Sequence, residues 1–353
     1  MVTQKKTKSS KFLTVPTRPV PIDRDRSIAG VLEKMEGAGF GAKQLAEAHR
    51  IWLDMLDDNS TIFLCGSGNL ITSGMRRLIS YVIKNRFVDV IVMSGTVLFH
   101  DIHETLGRNH YQAHPSMNDE ELEASNVMRI GDVLANREEY QEADEWLGSI
   151  INQLELSRPY SVREFLHLMG RELAEIAHED GILTSAFKSR IPVFCPDLQN
   201  SPLSVGFARA RFEKKLSIAF DLTQDTMDMM LIAQKTRNSA IITLGDSNAQ
   251  SMVNVAEISS YITRTTPRGH KYAVSVSASC EPLDVRVPSY GGLHTQHFGK
   301  LAKGATTAMV PCDPSIALPM IITALSQTAA KFMKGRKRPN FSFANRELAI
   351  DVP

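Results

Sequence analysis

The residue with the clearest chemical potential is Lys300, which ends the stretch Tyr290-Gly-Gly-Leu-His-Thr-Gln-His-Phe-Gly-Lys300. A lysine amine becomes a nucleophile able to form a Schiff base when burial or nearby positive charge lowers its pKa. Most lysines are solvated surface charges instead, and Lys303 stands three residues on, so spacing alone does not single Lys300 out. A second cluster is His100-Asp-Ile-His103-Glu104, followed by His110 and His114. On a helix, His100, His103 and Glu104 share one face. The common zinc pair is spaced i, i+4, and no third ligand is evident, so capping or substrate hydrogen bonding is the expectation and no metal site is. A third is the loop Gly66-Ser-Gly-Asn-Leu-Ile-Thr-Ser-Gly74. Its glycines let a backbone approach a pyrophosphate, and a helix starting near Leu70 would aim free N–H groups at it. The spacing is not the G-x-G-x-x-G dinucleotide fingerprint, and Asp89 precedes its strand, badly placed to hold a ribose. A standard Rossmann dehydrogenase is disfavoured.

The elements that must position these residues follow from hydrophobic patterning. From Ile28, apolar residues recur at helical spacing through Leu56, broken by Gly37-Ala-Gly-Phe-Gly41, which predicts two helices and a turn. Beyond them, helical patterns alternate with short β-branched runs: Thr61–Cys65, Val88–Met93, Ile191–Cys195, Leu216–Phe220, Ser239–Leu244, Tyr272–Val276 and Thr306–Val310. Most are nearly continuous apolar runs, as in parallel strands covered on both faces. The predicted fold is α/β: a doubly wound, mostly parallel open sheet of about seven strands, with helices on both faces and an N-terminal helical extension. Residues 1–27 read as a flexible arm, 28–335 as a single domain and 336–353 as a C-terminal tail. The stretch from His103 to about Arg158, poor in strands and rich in charge, reads as a helical excursion over one face. The basic run Lys331–Pro339 reads as a solvated helix end.

Ligands in such sheets bind beyond the carboxyl ends of the strands. Those ends carry the Gly66–Gly74 loop, Ser94-Gly95-Thr96, Asp197, Asp221, Gly245-Asp-Ser-Asn248, Ser277–Glu281 and Asp313. Turns and caps demand some of this chemistry, but together it also suits a cleft for a polar ligand.

Composition narrows the function classes. The 353 residues are 43% hydrophobic and 22% charged, ordinary globular values, with a formal net charge of +1. That charge gives no push toward nucleic acid or an anionic membrane. The four cysteines are widely spaced, which argues against a disulfide scaffold or structural zinc. A cytoplasmic protein with neither nucleic-acid nor membrane partners is expected.

The chain also resembles the deoxyhypusine synthase family from about Val31 to Thr328. The resemblance rests on collinear stretches: Val31–Phe40, Ser67–Met75, Phe87–Val92, Arg129-Ile-Gly-Asp132, Arg190–Pro196, Tyr272–Val274, Phe298-Gly-Lys300 and Cys312-Asp-Pro-Ser315. It implies NAD as cofactor, a polyamine such as spermidine as donor, and an aminobutyl group carried as an imine on an active-site lysine. The acceptor is a lysine of a translation factor or, in relatives, a free diamine. Family members are tetramers of paired dimers, so a homotetramer is implied. Carried over by motif, the imine lysine is Lys300, and the NAD contacts fall on Asn69, Thr72, Ser94, Gly95, Gly245 and Asp313. The substrate side falls on His100, Asp101, His294 and Phe298. Departures cluster on that side. Phe99 and His100 stand where the family has two glutamates, while Asp101 is retained. Gly245-Asp-Ser247 replaces a triple glycine, Asn200 and Val205 replace two aspartates, Ser251 replaces a histidine, and His294 and Phe298 replace a glutamate and a tryptophan. The chain looks closer to divergent bacterial and archaeal members. The leading expectation is an NAD-dependent aminoalkyl transferase with altered substrates. The rival is a catalytically weak paralogue serving as a structural or regulatory subunit of a mixed oligomer.

Overall fold

The structure, a computed structural model, describes residues 14–22, 24–245, 249–258, 262, 268–279, 301–343 and 347–353. The helical patterns at the start form α1 (Ile28–Met35), capped by the Ser27 hydroxyl, and α2 (Phe40–Asp57). Next come β1 (Thr61–Gly66), α3 (Arg76–Lys84), β2 (Val90–Met93) and α4 (Gly95–Thr105). An excursion carries β3 (Tyr111–Gln112), α5 (Asp119–Ala124), β4 (Val127–Ile130), β5 (Val133–Asn136) and α6 (Arg137–Asn152). It leads into β6 (Pro159–Tyr160), α7 (Val162–Ile176), α8 (Ile182–Ser189), β7 (Val193–Phe194), α9 (Leu203–Lys214), β8 (Ala219–Phe220) and α10 (Leu222–Lys235). The chain continues through β9 (Ser239–Leu244), α11 (Ala249–Ile258), β10 (His270–Val276), β11 (Leu301–Val310), α12 (Pro314–Thr328) and α13 (Ala330–Met333). A small hairpin of β12 (Asn340–Ser342) and β13 (Ala349–Asp351) closes the described chain.

Six of the predicted strands form one parallel sheet in the order β11-β10-β9-β1-β2-β7. Read in chain order this is 6-5-4-1-2-3, the doubly wound arrangement whose direction reverses between β1 and β9. Alternation along each strand feeds two cores. Ile62, Leu64, Ile91, Ile242 and Val274 meet Trp52, Met55, Ile79, Phe165 and Leu318 on one face. Phe63, Val90, Val92, Ile241 and Ala273 meet Met229, Ile232 and Val253 on the other. Both faces are therefore covered, which accounts for the continuous apolar runs.

Three expectations need correction. The predicted strand Leu216–Phe220 contributes only Ala219 and Phe220, and these pair with Pro159 and Tyr160 in a separate two-stranded sheet. Ala219 is exposed and Phe220 half-buried, so this segment lacks the two-sided burial that places a strand inside the main sheet. The excursion is not purely helical. Tyr111, Gln112, Val127–Ile130 and Val133–Asn136 form a three-stranded antiparallel sheet whose residues are mostly part-exposed, which hides them from an apolar-run criterion. Nor is the basic tail simply solvated. The Arg336 guanidinium is fully buried, donating to Asp89 Oδ2 at 2.6 Å, to the Arg86 carbonyl at 2.6 Å and to the Ser60 carbonyl at 2.9 Å. Among the described residues no helix is long and apolar enough to cross a membrane.

Candidate functional site

The β1–β9 reversal opens a cleft of about 810 Å³ at the carboxyl ends of the strands. Its floor is the loop after β1, Ser67–Gly74, with Gly245 after β9, Ser277–Ser279 after β10 and Asp313–Ser315 at the start of α12. One wall comes from the excursion: His110 to Ala113, Asp132 and Val133. Four of the six residues predicted to hold the cofactor, Asn69, Thr72, Gly245 and Asp313, thus meet around one cavity.

Local chemistry explains each position. The helix predicted from Leu70 is only a single turn, and α3 begins at Arg76. The Met75 N–H donates to the Leu70 carbonyl at 3.0 Å and the Gly74 N–H to the Ile71 carbonyl at 2.8 Å. That pair, with Gly74 at φ 84°, is the Schellman arrangement that ends a helix on glycine. At Gly245, φ is 74° and a Cβ would lie 2.9 Å from the Ser67 carbonyl oxygen, so the two loops touch through backbone alone. The Asp313 carboxylate caps α12 by accepting the Ser315 N–H at 2.8 Å and remains exposed to the cleft.

Ser94 and Gly95 do not join this cleft. Ser94 is the N-cap of α4, accepting the Val97 N–H at 3.4 Å. Gly95 donates its N–H to Asp197 Oδ1 at 2.9 Å, and a Cβ there would meet Ser201 Oγ at 2.3 Å. Both are buried where α4 leaves the sheet.

The helix α4 brings the histidine cluster together, but inside the protein. His100 Nδ1 lies 3.1 Å from His110 Nε2 and 3.0 Å from the Tyr140 hydroxyl, and His110 Nδ1 lies 2.8 Å from Glu104 Oε1. Burial and the neighbouring imidazoles push His100 down to about 3, and burial pushes His103 to about 4. Both are neutral at physiological pH. Phe99 packs edge-on against Tyr140 with ring centroids 4.9 Å apart. Asp101 is fully buried and caps α8. Among the described residues no group of three or more His, Cys, Asp or Glu side chains could hold a metal ion.

Elsewhere, Asn200 and Val205 are exposed beside and on α9, and Ser251 is exposed on α11; none lines the cleft. Lys300, His294 and Phe298 lie outside the described residues, as do Asp246, Ser247 and Glu281. Sequence reasoning did not single out Tyr140, Gln112 or the carboxylate of Asp132 as site residues. Tyr140 sits in a charged helix with no local signal, whereas Gly131-Asp132 carried a hairpin-turn signature between two short strands.

The cofactor implied by the family resemblance fits this cleft. Backbone meets backbone at Gly245 and Ser67, amide and hydroxyl groups come from Asn69 and Thr72, and Asp313 offers a carboxylate suited to a sugar hydroxyl.

Comparison with known proteins agrees with the geometry. The deoxyhypusine synthase family model matches residues 30–325. A protein named "Probable deoxyhypusine synthase 2" from Methanosarcina mazei is 34% identical over 347 residues, covering 95% of this chain and 96% of its own. Its namesake from Archaeoglobus fulgidus is 32% identical, covering 82% and 95%. A crystal structure described as a "putative deoxyhypusine synthase from Entamoeba histolytica" shares the fold, with a TM-score of 0.61 at 15% identity over 88% of this chain and 97% of that one. With a matching family model across most of its length, relatives above 30% identity and the corresponding fold, this chain belongs to the deoxyhypusine synthase family.

Proposed function

We propose that this protein is an NAD-dependent aminoalkyl transferase. It would take an aminobutyl group from a polyamine such as spermidine, carry it as an imine on Lys300, and deliver it to a protein lysine or a small diamine. The observation that carries this reading is the cleft at the β1–β9 reversal, where Asn69, Thr72, Gly245 and Asp313 converge in a chain of this family. Those four residues would hold NAD, which when bound supplies a hydride acceptor and then a donor. The remaining work belongs to the chain. The Lys300 amine must be unprotonated to attack, and the cleft walls must orient the donor and exclude water. Self-association as a dimer of dimers belongs to the same reading and is checked by light scattering.

Incubation with NAD and spermidine followed by borohydride should leave an aminobutyl adduct on Lys300, read by mass spectrometry. Lys300→Ala should abolish both adduct and turnover. Unchanged turnover in Lys300→Ala would overturn the mechanism.

One observation favours a second reading, a weakly active subunit of a mixed oligomer. Phe99 and His100, at the positions of the family's paired glutamates, are packed inside the protein. On that reading the purified protein binds neither NAD nor polyamine but stimulates a second homologue.

A further inference from the structure

With Phe99, His100 and Asp101 all committed to packing and capping, α4 presents no carboxylate to the cleft, and a polyamine still needs one for its ammonium end. We propose that Asp132, on the wall formed by the excursion, is the specificity-determining residue that receives an ammonium group of the substrate. This inference rests on the polyamine-transferase reading above.

Three observations carry it. The first is charge. Among the described residues lining the cleft, the carboxylates are Asp132 and Asp313, and there is no lysine or arginine. Asp313 sits on the floor beside Ser315 and Pro314, at the end that the strand termini and glycines shape for a dinucleotide. Asp132 is exposed on the wall and forms no salt bridge among the described residues. A second carboxylate facing an anionic dinucleotide would repel it, whereas facing a diamine it makes a charge-assisted hydrogen bond.

The second is rigidity. Ile130 pairs with Val133, so Gly131 and Asp132 are the two residues of a hairpin turn, and Gly131 takes the positive φ of 65° that its first position requires. The Asp132 carbonyl accepts the Ala113 N–H at 2.9 Å, tying the turn to the strand beside it.

The third is anchoring. β5 pairs with β3 at Tyr111–Leu134 and Gln112–Val133. The residue before β3 is His110, whose side chain is 4% exposed and bonded to Glu104, His100 and Tyr140. The sequence of contacts from α4 through His110 and β3 to β5 holds the wall, and with it Asp132, at a set distance from the floor. His100 is a positioning residue in this scheme and acts on the substrate only through the wall, while His110 anchors that wall and also lines the cleft.

The test uses the full chain. Binding of spermidine and of NAD is measured separately by calorimetry, together with steady-state kinetics. Asp132→Asn should raise the spermidine Kd and KM at least tenfold, leave kcat within about twofold, and leave the NAD Kd unchanged. Asp132→Glu should recover part of the loss, and the melting temperature of both should match the parent because the side chain is exposed. His110→Ala should raise the spermidine KM several-fold with NAD affinity retained. Unchanged spermidine binding in Asp132→Asn overturns the inference, and so does a loss confined to NAD, which would make Asp132 a cofactor contact. If the parent protein binds NAD and turns over, those outcomes sink this inference alone. If it binds no polyamine, both this inference and the transferase reading fall.

Discussion

The Asp101 carboxylate accepts the Ile182 backbone N–H at 2.8 Å through one oxygen and at 2.9 Å through the other, while fully buried. Its second oxygen also accepts the Leu183 N–H at 3.1 Å, and Arg76 Nε lies 3.5 Å away. The family's retained acidic residue thus accepts the free N–H groups at the N-terminus of α8, whose N-cap is Gly181, and is held between that helix terminus and a guanidinium. Asp101→Ala should destabilise the protein by about 3 kcal/mol, the range for breaking a buried charge pair. Denaturant titration measures this, and NAD affinity should survive at concentrations where the variant is folded. A variant of normal stability with only a raised polyamine KM would place Asp101 on the substrate instead.

Gly181→Ala tests the same joint from the other side. A Cβ at Gly181 would lie 2.3 Å from Asp101 Oδ1 and 2.5 Å from Thr105 Oγ1. Both acceptors are buried and already bonded, so neither can swing away cheaply. A loss of about 1–3 kcal/mol is expected, as for overpacking elsewhere.

How much of this was legible in the sequence follows from what each residue's environment depends on. Strands β1, β2, β9 and β10 announced themselves because burial on both faces makes them nearly continuous apolar runs. The strand-end loops pointed to a shared cleft, because a doubly wound sheet gathers those ends, and the family resemblance picked out Asn69, Thr72, Gly245 and Asp313 within it. Ser94 and Gly95 carried the same chemistry at a strand end, yet fold inward, since a small residue meets a close backbone as well as it meets a ligand. The inward turn of His100 depends on Tyr140 and His110, distant in sequence by 40 and 10 positions, and no local spacing encodes such a meeting. The Arg336–Asp89 pair spans 247 positions and was hidden for the same reason.

That pair supplies a stability prediction. Arg336→Ala leaves Asp89 buried with the Ile62 N–H and, as its one remaining cation among the described residues, the Arg86 guanidinium at 3.8 Å, and it also strips hydrogen bonds from the Ser60 and Arg86 carbonyls. A cost of about 3–5 kcal/mol is expected. If the tail were merely a solvated basic end, the same substitution would fall within about 0.5 kcal/mol of neutral.

Gly245→Ala should act on the cleft. At φ 74° an alanine costs about 1–2 kcal/mol of backbone strain, and its methyl group would press on the Ser67 carbonyl oxygen. The two loops would part, and NAD affinity should fall about tenfold, the equivalent of about 1.4 kcal/mol of lost binding. Calorimetric NAD titration of the variant decides it, and unchanged affinity would place the dinucleotide elsewhere.

Acid should loosen the protein through its buried imidazoles. His100 is held down to about 3, and His49, His103, His167 and His270 to about 4, in each case chiefly by burial. Below pH 6.5 the unfolded chain binds protons that the folded chain refuses, so stability rises with pH from about 4 to 6.5 and is lost as pH falls through that window. Each pH unit spent in that window costs about 1.4 kcal/mol per histidine, so a well-buried one contributes a loss of about 2 kcal/mol between pH 7 and pH 5. Asp101, Asp144 and Asp225 work in the opposite sense. Burial raises each to about 6, so the folded chain takes up their protons first, returning about 1 kcal/mol each at the buried Asp101 and Asp225 and less at the part-exposed, solvent-screened Asp144. The histidines outnumber them and are displaced further, so the denaturation midpoint should drop from pH 7 to pH 5. His103 isolates the cause. Among the described residues neither of its buried ring nitrogens has a hydrogen-bond partner of good geometry, the Asn109 backbone being a weak one, and Glu139 Oε2 stands 3.7 Å from Nε2. Replacing it with a ring of similar shape that cannot charge, His103→Phe, removes its share, and the drop between pH 7 and pH 5 should shrink by about 2 kcal/mol. An undiminished drop in His103→Phe would assign the loss between pH 7 and pH 5 to the other lowered imidazoles, His49, His100, His167 and His270, because Asp180, held at about 2 by Lys188 and Lys84, loses its ion pairs only below about pH 4.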